Sequence, residues 1–177
     1  MDSTYLKQFQ SGFTAHRASK MRKVWQGHVK LLYSKLLETA SKTAGTGIQH
    51  HAKLLWGDRM TVIYPEPTSV AIARYGFYEE GLTRMVLEYL KPGMTFLDVG
   101  AHLGYYTLLG AWLVGDEGQV HSFEPTPSTF EVLRKNAGNR PNVHLNNIAV
   151  SSGPGTVSFN DYGTNFMGFN SMFQARL

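Results

Sequence analysis

Hydrophobic residues along this chain change their period twice. Up to about residue 44 they return every three or four positions. Leu6, Phe9 and Phe13 form one such set, and Met21, Val24 or Trp25, His28 or Val29, Leu32 and Leu36 form another. That spacing predicts two amphipathic helices, over 3–16 and 19–42, stopped by Ala44-Gly45-Thr46-Gly47. From Ala52 the pattern shortens. Met60 to Tyr64 is rich in β-formers and halts at Pro65-Glu66-Pro67; Ser69 to Arg74 reads as a second strand, so a small hairpin is expected. Tyr78 to Leu90 returns to the helical period, with Leu82, Met85, Val86, Tyr89 and Leu90 on one face and Lys91-Pro92-Gly93 as its stop.

Between Thr95 and Ser151 the two periods alternate. Thr95 to Val99 is a short apolar strand, and Tyr105 to Val114 an apolar helix after Gly100-Ala101-His102-Leu103-Gly104. Gln119 to Phe123 is the next strand. A helix follows it, opened by Thr126 as N-cap and Pro127 as first residue, or by Ser128 with Glu131, and ending near Gly138. Val143 to Asn147 is a third strand. The order β-α-β-α-β predicts an α/β fold: a Rossmann-like parallel sheet, preceded by N-terminal helices and a β-hairpin.

Composition bounds the chemistry. The chain has 177 residues, enough for one globular domain, and no cysteine. Disulfides, thiolate zinc sites, iron–sulfur clusters and Cys nucleophiles are excluded. The seven histidines are scattered, and the adjacent His50-His51 pair cannot readily share an ion, so no metal site is expected. The N-terminal MDSTYLKQFQSGF lacks the apolar core of a secretory signal, and the uncharged run from Val99 to Gly115 is broken by His102 and glycines. A soluble, cytoplasmic protein is the expectation.

Charge is unevenly spread. Residues 1–57 hold nine bases and two acids, whereas 58–177 hold eight bases and eleven acids. This divides the chain into a basic helical segment, 1–53, and a second domain, 54–177. The plainest reading of the basic helices is a cap whose lysines are solvated. A membrane surface, nucleic acid or another acidic surface are the alternatives, with nucleic acid disfavoured because few aromatics interleave with the bases.

The glycine turn between strand and helix lets a ligand approach the backbone and the free N–H groups of the helix start. Glu124 stands 20 residues beyond Gly104, where an acid can accept hydrogen bonds from ribose hydroxyls. Asp98 distinguishes among nucleotides. A carboxylate just before the turn would repel the diphosphate of a dinucleotide, and the turn is Gly-x-x-x-Gly instead of Gly-x-Gly-x-x-Gly. S-adenosylmethionine carries no phosphate but a cationic sulfonium and an ammonium, which that carboxylate attracts by about a kcal/mol or more. A dinucleotide oxidoreductase is the weaker reading.

The run Phe96-Leu97-Asp98-Val99-Gly100-Ala101-His102-Leu103-Gly104-Tyr105-Tyr106-Thr107 resembles the first motif of class I S-adenosylmethionine-dependent methyltransferases. Together with Phe123-Glu124-Pro125-Thr126-Pro127, the segment from Asn142 to Ser151 and the lead-in from Phe77 to Gly93, it is similar to the FkbM type. The resemblance covers roughly residues 54–175. It implies methylation of a hydroxyl on a small molecule or sugar, with S-adenosylmethionine cradled by Asp98, Gly100, Ala101, His102 and Gly104. Glu124 would hold the ribose, and Asn147 or its neighbours would flank the adenine. His102 replaces the Asn common in that family. No residue is assigned as catalytic base; His121, His144 and Asp161 are the candidates. The alternative function is a non-catalytic cofactor-binding remnant, or an adapter that binds an acidic surface through the basic helices.

Only 79 residues follow Asp98, and nothing matches the Asp-x-Glu-Gly-type segment of such enzymes, so an incomplete sheet and a truncated or fragmentary chain are expected. The strand Thr95–Val99 would then lie at an open edge. Self-association is anticipated there, or cover by the N-terminal helices or the apolar tail (Phe159, Tyr162, Phe166, Met167, Phe169, Met172, Phe173), with weak cofactor binding and little turnover.

Overall fold

A computed structural model describes residues 7, 9–14, 20–156, 158, 160 and 162–163, with backbone alone over 20–28. The chain forms two compact units, Met1–Glu80 and Gly81–Leu177. Within the first unit the hairpin and the helix after it pack with the basic helix.

In the first unit, residues 9–14 are helical and precede α1 (Lys20–Ala44). The remainder of the helix expected over 3–16 lies outside the described residues. Strands β1 (Ile48–Lys53) and β2 (Arg59–Tyr64) pair antiparallel, from Ile48 opposite Tyr64 to Lys53 opposite Arg59. The hairpin therefore forms upstream of the predicted one. Residues 69–74 are not a strand but part of α2 (Pro67–Tyr75). The cause is local. The Glu66 carboxylate accepts the N–H groups of Thr68 (2.8 Å) and Ser69 (2.5 Å), Pro67 occupies the first turn, and Gly76 closes the helix in the left-handed conformation. Phe9 stacks on Trp56 with ring centroids 6.1 Å apart, and Phe13 meets Phe77 edge-on at 4.8 Å.

The apolar spacing of α1 is real, but its direction is the reverse of the usual one. Ser34 and Ser41 are buried, while Val29, Leu32 and Leu36 are exposed. Hydrogen bonding fixes this orientation. Ser34 Oγ accepts from the Tyr64 hydroxyl (3.0 Å) and from Arg74 Nε (2.8 Å), Ser41 Oγ donates to the Tyr64 carbonyl (2.8 Å), and Arg74 also pairs with Glu38 (3.0 Å). Replacing Ser34 by Ala leaves a fully buried Tyr64 hydroxyl and the Arg74 Nε without their shared acceptor. Urea denaturation is expected to show a loss of about 1–3 kcal/mol.

In the second unit, α3 (Glu80–Tyr89) buries Thr83, Val86 and Leu87, with Leu90 just beyond its end. Of the face expected for this helix, Val86 and Leu90 are inward, whereas Leu82, Met85 and Tyr89 are exposed. A polar contact turns it: Thr83 Oγ1 lies 3.2 Å from the Tyr105 hydroxyl. Strands β3 (Thr95–Val99), β4 (Gln119–Phe123) and β5 (Val143–Asn146) form a parallel sheet in the order β3-β4-β5. They are linked by α4 (Tyr105–Val114) and α5 (Pro127–Ala137). The α/β parallel architecture thus matches the sequence pattern. Helix α4 packs on the face that carries Phe96 and Asp98, and Gly110 allows the closest approach: a Cβ there would come 2.6 Å from the Phe96 ring. The opposite face of β3, at the free edge of the described sheet, leaves Leu97 and Val99 about three-fifths exposed (61% and 62%). Of the hairpin-like 156–160 segment only Asn160 is in a bridge, and 157 and 159 lie outside the described residues, as does most of the apolar tail. No described helix is long and apolar enough to cross a membrane.

Candidate functional site

The carboxyl end of β3 carries the expected turn. Gly100 has φ +79°, and the N–H groups of Gly100 and Ala101 both donate to the Phe123 carbonyl at the end of β4 (2.9 and 3.0 Å). His102 is also left-handed, at φ +52°, and Gly104 N–H closes the turn onto the Ala101 carbonyl (2.8 Å). Gly104 then caps α4 at φ +96°, a left-handed conformation that favours glycine, and a Cβ on it would lie 2.7 Å from Leu133 Cδ1, which would have to move aside. Asn136 of α5 donates to the Leu103 carbonyl at 2.8 Å, holding the turn from its other side.

Asp98 is buried beneath this turn. One carboxylate oxygen accepts the Thr107 hydroxyl of α4 at 2.6 Å, and Thr107 Oγ1 lies 2.9 Å from Ser122 Oγ of β4. Burial pushes the Asp98 carboxyl up to about 6, the nearby negative charge of Glu124 adds to the rise, and the Thr107 hydrogen bond opposes it. No described cation offsets that burial. Among the described residues the charged form of this acid has no counter-charge.

Glu124 is likewise buried, and its two oxygens take separate backbone donors: Oε2 from the His102 N–H (3.0 Å) and Oε1 from the Thr126 N–H (2.9 Å). It therefore ties the glycine turn to the start of α5, while each oxygen keeps a further lone pair. Asn147 donates to the carbonyls of Glu124 (2.8 Å) and Pro125 (3.1 Å), bracing the same corner. Asp98, Gly100, Ala101, His102, Gly104, Glu124 and Asn147 all fall at the carboxyl ends of the three strands or in the loops that follow. Thr126 is the helix cap without a side-chain capping bond.

Two participants go unassigned from sequence, Thr107 and Ser122. Ser122 stands directly opposite Asp98 in the β3–β4 register, and its only signal is a hydroxyl within an apolar strand. The candidate bases behave otherwise. His121 pairs with Leu97 and with His144 in register, so both histidines lie on the sheet face opposite Asp98, their rings stacked 4.6 Å apart. Asp161 lies outside the described residues.

The sequence is similar to those of known proteins. A family model described as protein-L-isoaspartate (D-aspartate) O-methyltransferase matches residues 49–165. A protein-L-isoaspartate O-methyltransferase from Methanothrix thermoacetophila is 33% identical over 72 residues, 41% of this chain and 33% of the relative. The chain thus spans about a third of that relative's length. Among solved structures, a protein-L-isoaspartate O-methyltransferase is 26% identical over 39% of this chain and 23% of its own, with a TM-score of 0.36. A fibrillarin from Aeropyrum pernix, solved with natively bound S-adenosyl-L-methionine, is 21% identical over 32% of this chain and 24% of its own, with a TM-score of 0.31.

Proposed function

The chain belongs to the protein-L-isoaspartate (D-aspartate) O-methyltransferase family, and from that membership we propose that it binds S-adenosylmethionine and transfers its methyl group to an acceptor oxygen. Membership stands at the level of class I methyltransferases; the FkbM type is a resemblance of motifs alone. The observation that carries the proposal is Asp98, a buried carboxylate with no described counter-cation, set under a glycine turn. A sulfonium or ammonium group brought to that turn supplies the missing positive charge. A diphosphate would instead meet the Asp98 carboxylate. The residues present therefore fit this cofactor.

When bound, S-adenosylmethionine supplies an electrophilic methyl that an oxygen attacks in line as the S–CH3 bond breaks. The protein's part is to place the donor, with Asp98 attracting its positive groups, the Gly100–Gly104 turn admitting it to the backbone, and Glu124 offering its remaining lone pairs to the ribose. Positioning of this kind supplies most of the acceleration in a two-substrate transfer.

The acceptor we infer is a carboxylate, such as the free carboxylate of the isoaspartyl residue that the family name specifies. A carboxylate is ionised at neutral pH and needs no general base. A hydroxyl does, and the candidate bases His121 and His144 stand on the sheet face opposite Asp98. Hydroxyl methylation of a small molecule or sugar is the second reading, favoured by the Phe123-Glu124-Pro125-Thr126-Pro127 motif. We also place self-association at the free β3 edge, where Leu97 and Val99 are exposed.

Calorimetry with S-adenosylhomocysteine, beside an NADH titration, tests the cofactor. Binding of the first and not the second is expected; the reverse would overturn the assignment. Incubation of labelled S-adenosylmethionine with an isoaspartyl peptide, its aspartyl isomer and a sugar tests the acceptor. Label released as methanol by mild alkali marks a methyl ester, whereas alkali-stable label on the sugar marks the hydroxyl reading. Cofactor binding without any transfer would favour a non-catalytic remnant.

A further inference from the structure

We propose that the outward face of α1 is a docking surface for anionic lipid headgroups, which would hold the protein against a membrane surface without crossing it. Val29, Leu32 and Leu36 follow one another at helical spacing, and they are 71%, 63% and 61% exposed. In sequence, Met21 and Trp25 continue the same period toward the helix start. Three large aliphatic side chains in a row on solvent are unusual for a helix that has a protein to pack against. The helix cannot roll to hide them. Its opposite face is pinned by Ser34 to Tyr64 and Arg74, by Ser41 to the Tyr64 carbonyl, and by Glu38 to Arg74.

Charge identifies the occupant. The helix holds six bases, Lys20, Arg22, Lys23, Lys30, Lys35 and Lys42, against one acid. That acid, Glu38, is already engaged by Lys42 (2.8 Å) and Arg74 (3.0 Å), so nothing negative on the helix is left to meet a second copy. Two copies joined along this stripe would bring their lysines together. Nucleic acid would satisfy the lysines but leave Leu32 and Leu36 against phosphates. A layer of anionic headgroups over acyl chains satisfies both kinds of side chain at once, and a helix of 25 residues, about 37 Å long, can lie along it. The inference is independent of the methyl-transfer reading.

The test is flotation of the full chain with phosphatidylcholine vesicles and with phosphatidylcholine–phosphatidylglycerol vesicles. Binding to the second and not the first is expected, with release as salt shortens the screening length. Leu32 and Leu36 are exposed, so Leu32→Ser/Leu36→Ser should fold normally, as circular dichroism would show, and should lose at least about tenfold in partitioning. Lys35→Glu should weaken binding to the anionic vesicles only. Absence of wild-type binding, equal binding to both vesicles, or unchanged binding of the double variant would each overturn the proposal. So would a dimer, seen by light scattering without vesicles, that the double variant dissolves, or an RNA mobility shift as strong as the vesicle binding.

Discussion

Asp98→Asn is expected to make the unligated protein more stable at pH 7 while removing most of its affinity for S-adenosylmethionine. The carboxyl sits near 6 in the folded chain against an ordinary value of 3.8, so folding raises its proton affinity. The folded state then binds more protons than the unfolded state between about pH 4 and pH 6, and stability falls as pH rises through that window. A rise of that size corresponds to a penalty of up to about 3 kcal/mol at neutral pH. Asparagine keeps an acceptor for the Thr107 hydroxyl and carries no charge, so it escapes the penalty. Urea denaturation at pH 4 and pH 7 checks this: the variant's advantage should appear only at the higher pH. The cofactor effect runs the other way. Loss of a buried opposite charge costs about 2 kcal/mol or more, at least about thirtyfold in Kd. Wild-type affinity should itself weaken as pH falls below 6, when Asp98 takes up its proton, and the variant should lose that dependence. S-adenosylhomocysteine, which has the ammonium but no sulfonium, should be less affected than S-adenosylmethionine. Equal stability and equal affinity in wild type and variant would remove Asp98 from the site.

The part of the molecule legible in sequence is the part governed by neighbours along the chain. Strands 95–99, 119–123 and 143–146, the helices between them and the Gly100–Gly104 turn follow from period, glycine placement and short connections. Residues 69–74 mislead because their β-branched composition suggests a strand, although Glu66, Pro67 and Gly76 bracket a helix. Helices α1 and α3 mislead in another way. Period locates a stripe but not which side of the helix has a partner, and in α1 the partnered side is chosen by Ser34 and Ser41. A serine buried through hydrogen bonds to Tyr64 and Arg74, 30 and 40 residues away, leaves no mark in a hydropathy pattern. The site divides along the same line. Spacing alone marks Asp98 and the glycines. Thr107 and Ser122 join Asp98 only through strand register and the packing of α4 on the sheet, which no local pattern encodes.

Glu124 carries two roles that a pair of substitutions separates. As a tie, its carboxylate accepts the His102 and Thr126 N–H groups in a buried corner, and each such bond to a charged acceptor is worth roughly 1.5–3 kcal/mol. Glu124→Ala should therefore destabilise the second unit by about 3 kcal/mol or more and release the turn as a whole. Glu124→Gln retains one carbonyl acceptor but turns an NH2 toward the other N–H, so it should lose about half as much. Stability alone would follow this order if tying the turn were the whole role. A ribose contact adds a second signature: S-adenosylhomocysteine affinity falls in Glu124→Gln by more than its stability loss explains, at temperatures where the variant is fully folded. The charge leaves a third. Glu124 helps to raise the Asp98 carboxyl, so the neutral variant should bring the Asp98 titration below 6, which carboxyl-carbon NMR can follow. An Asp98 titration unmoved by Glu124→Gln would mean that the two acids do not share one electrostatic site. Paired selectivity for a cation at Asp98 and a ribose at Glu124 would then have to be given up.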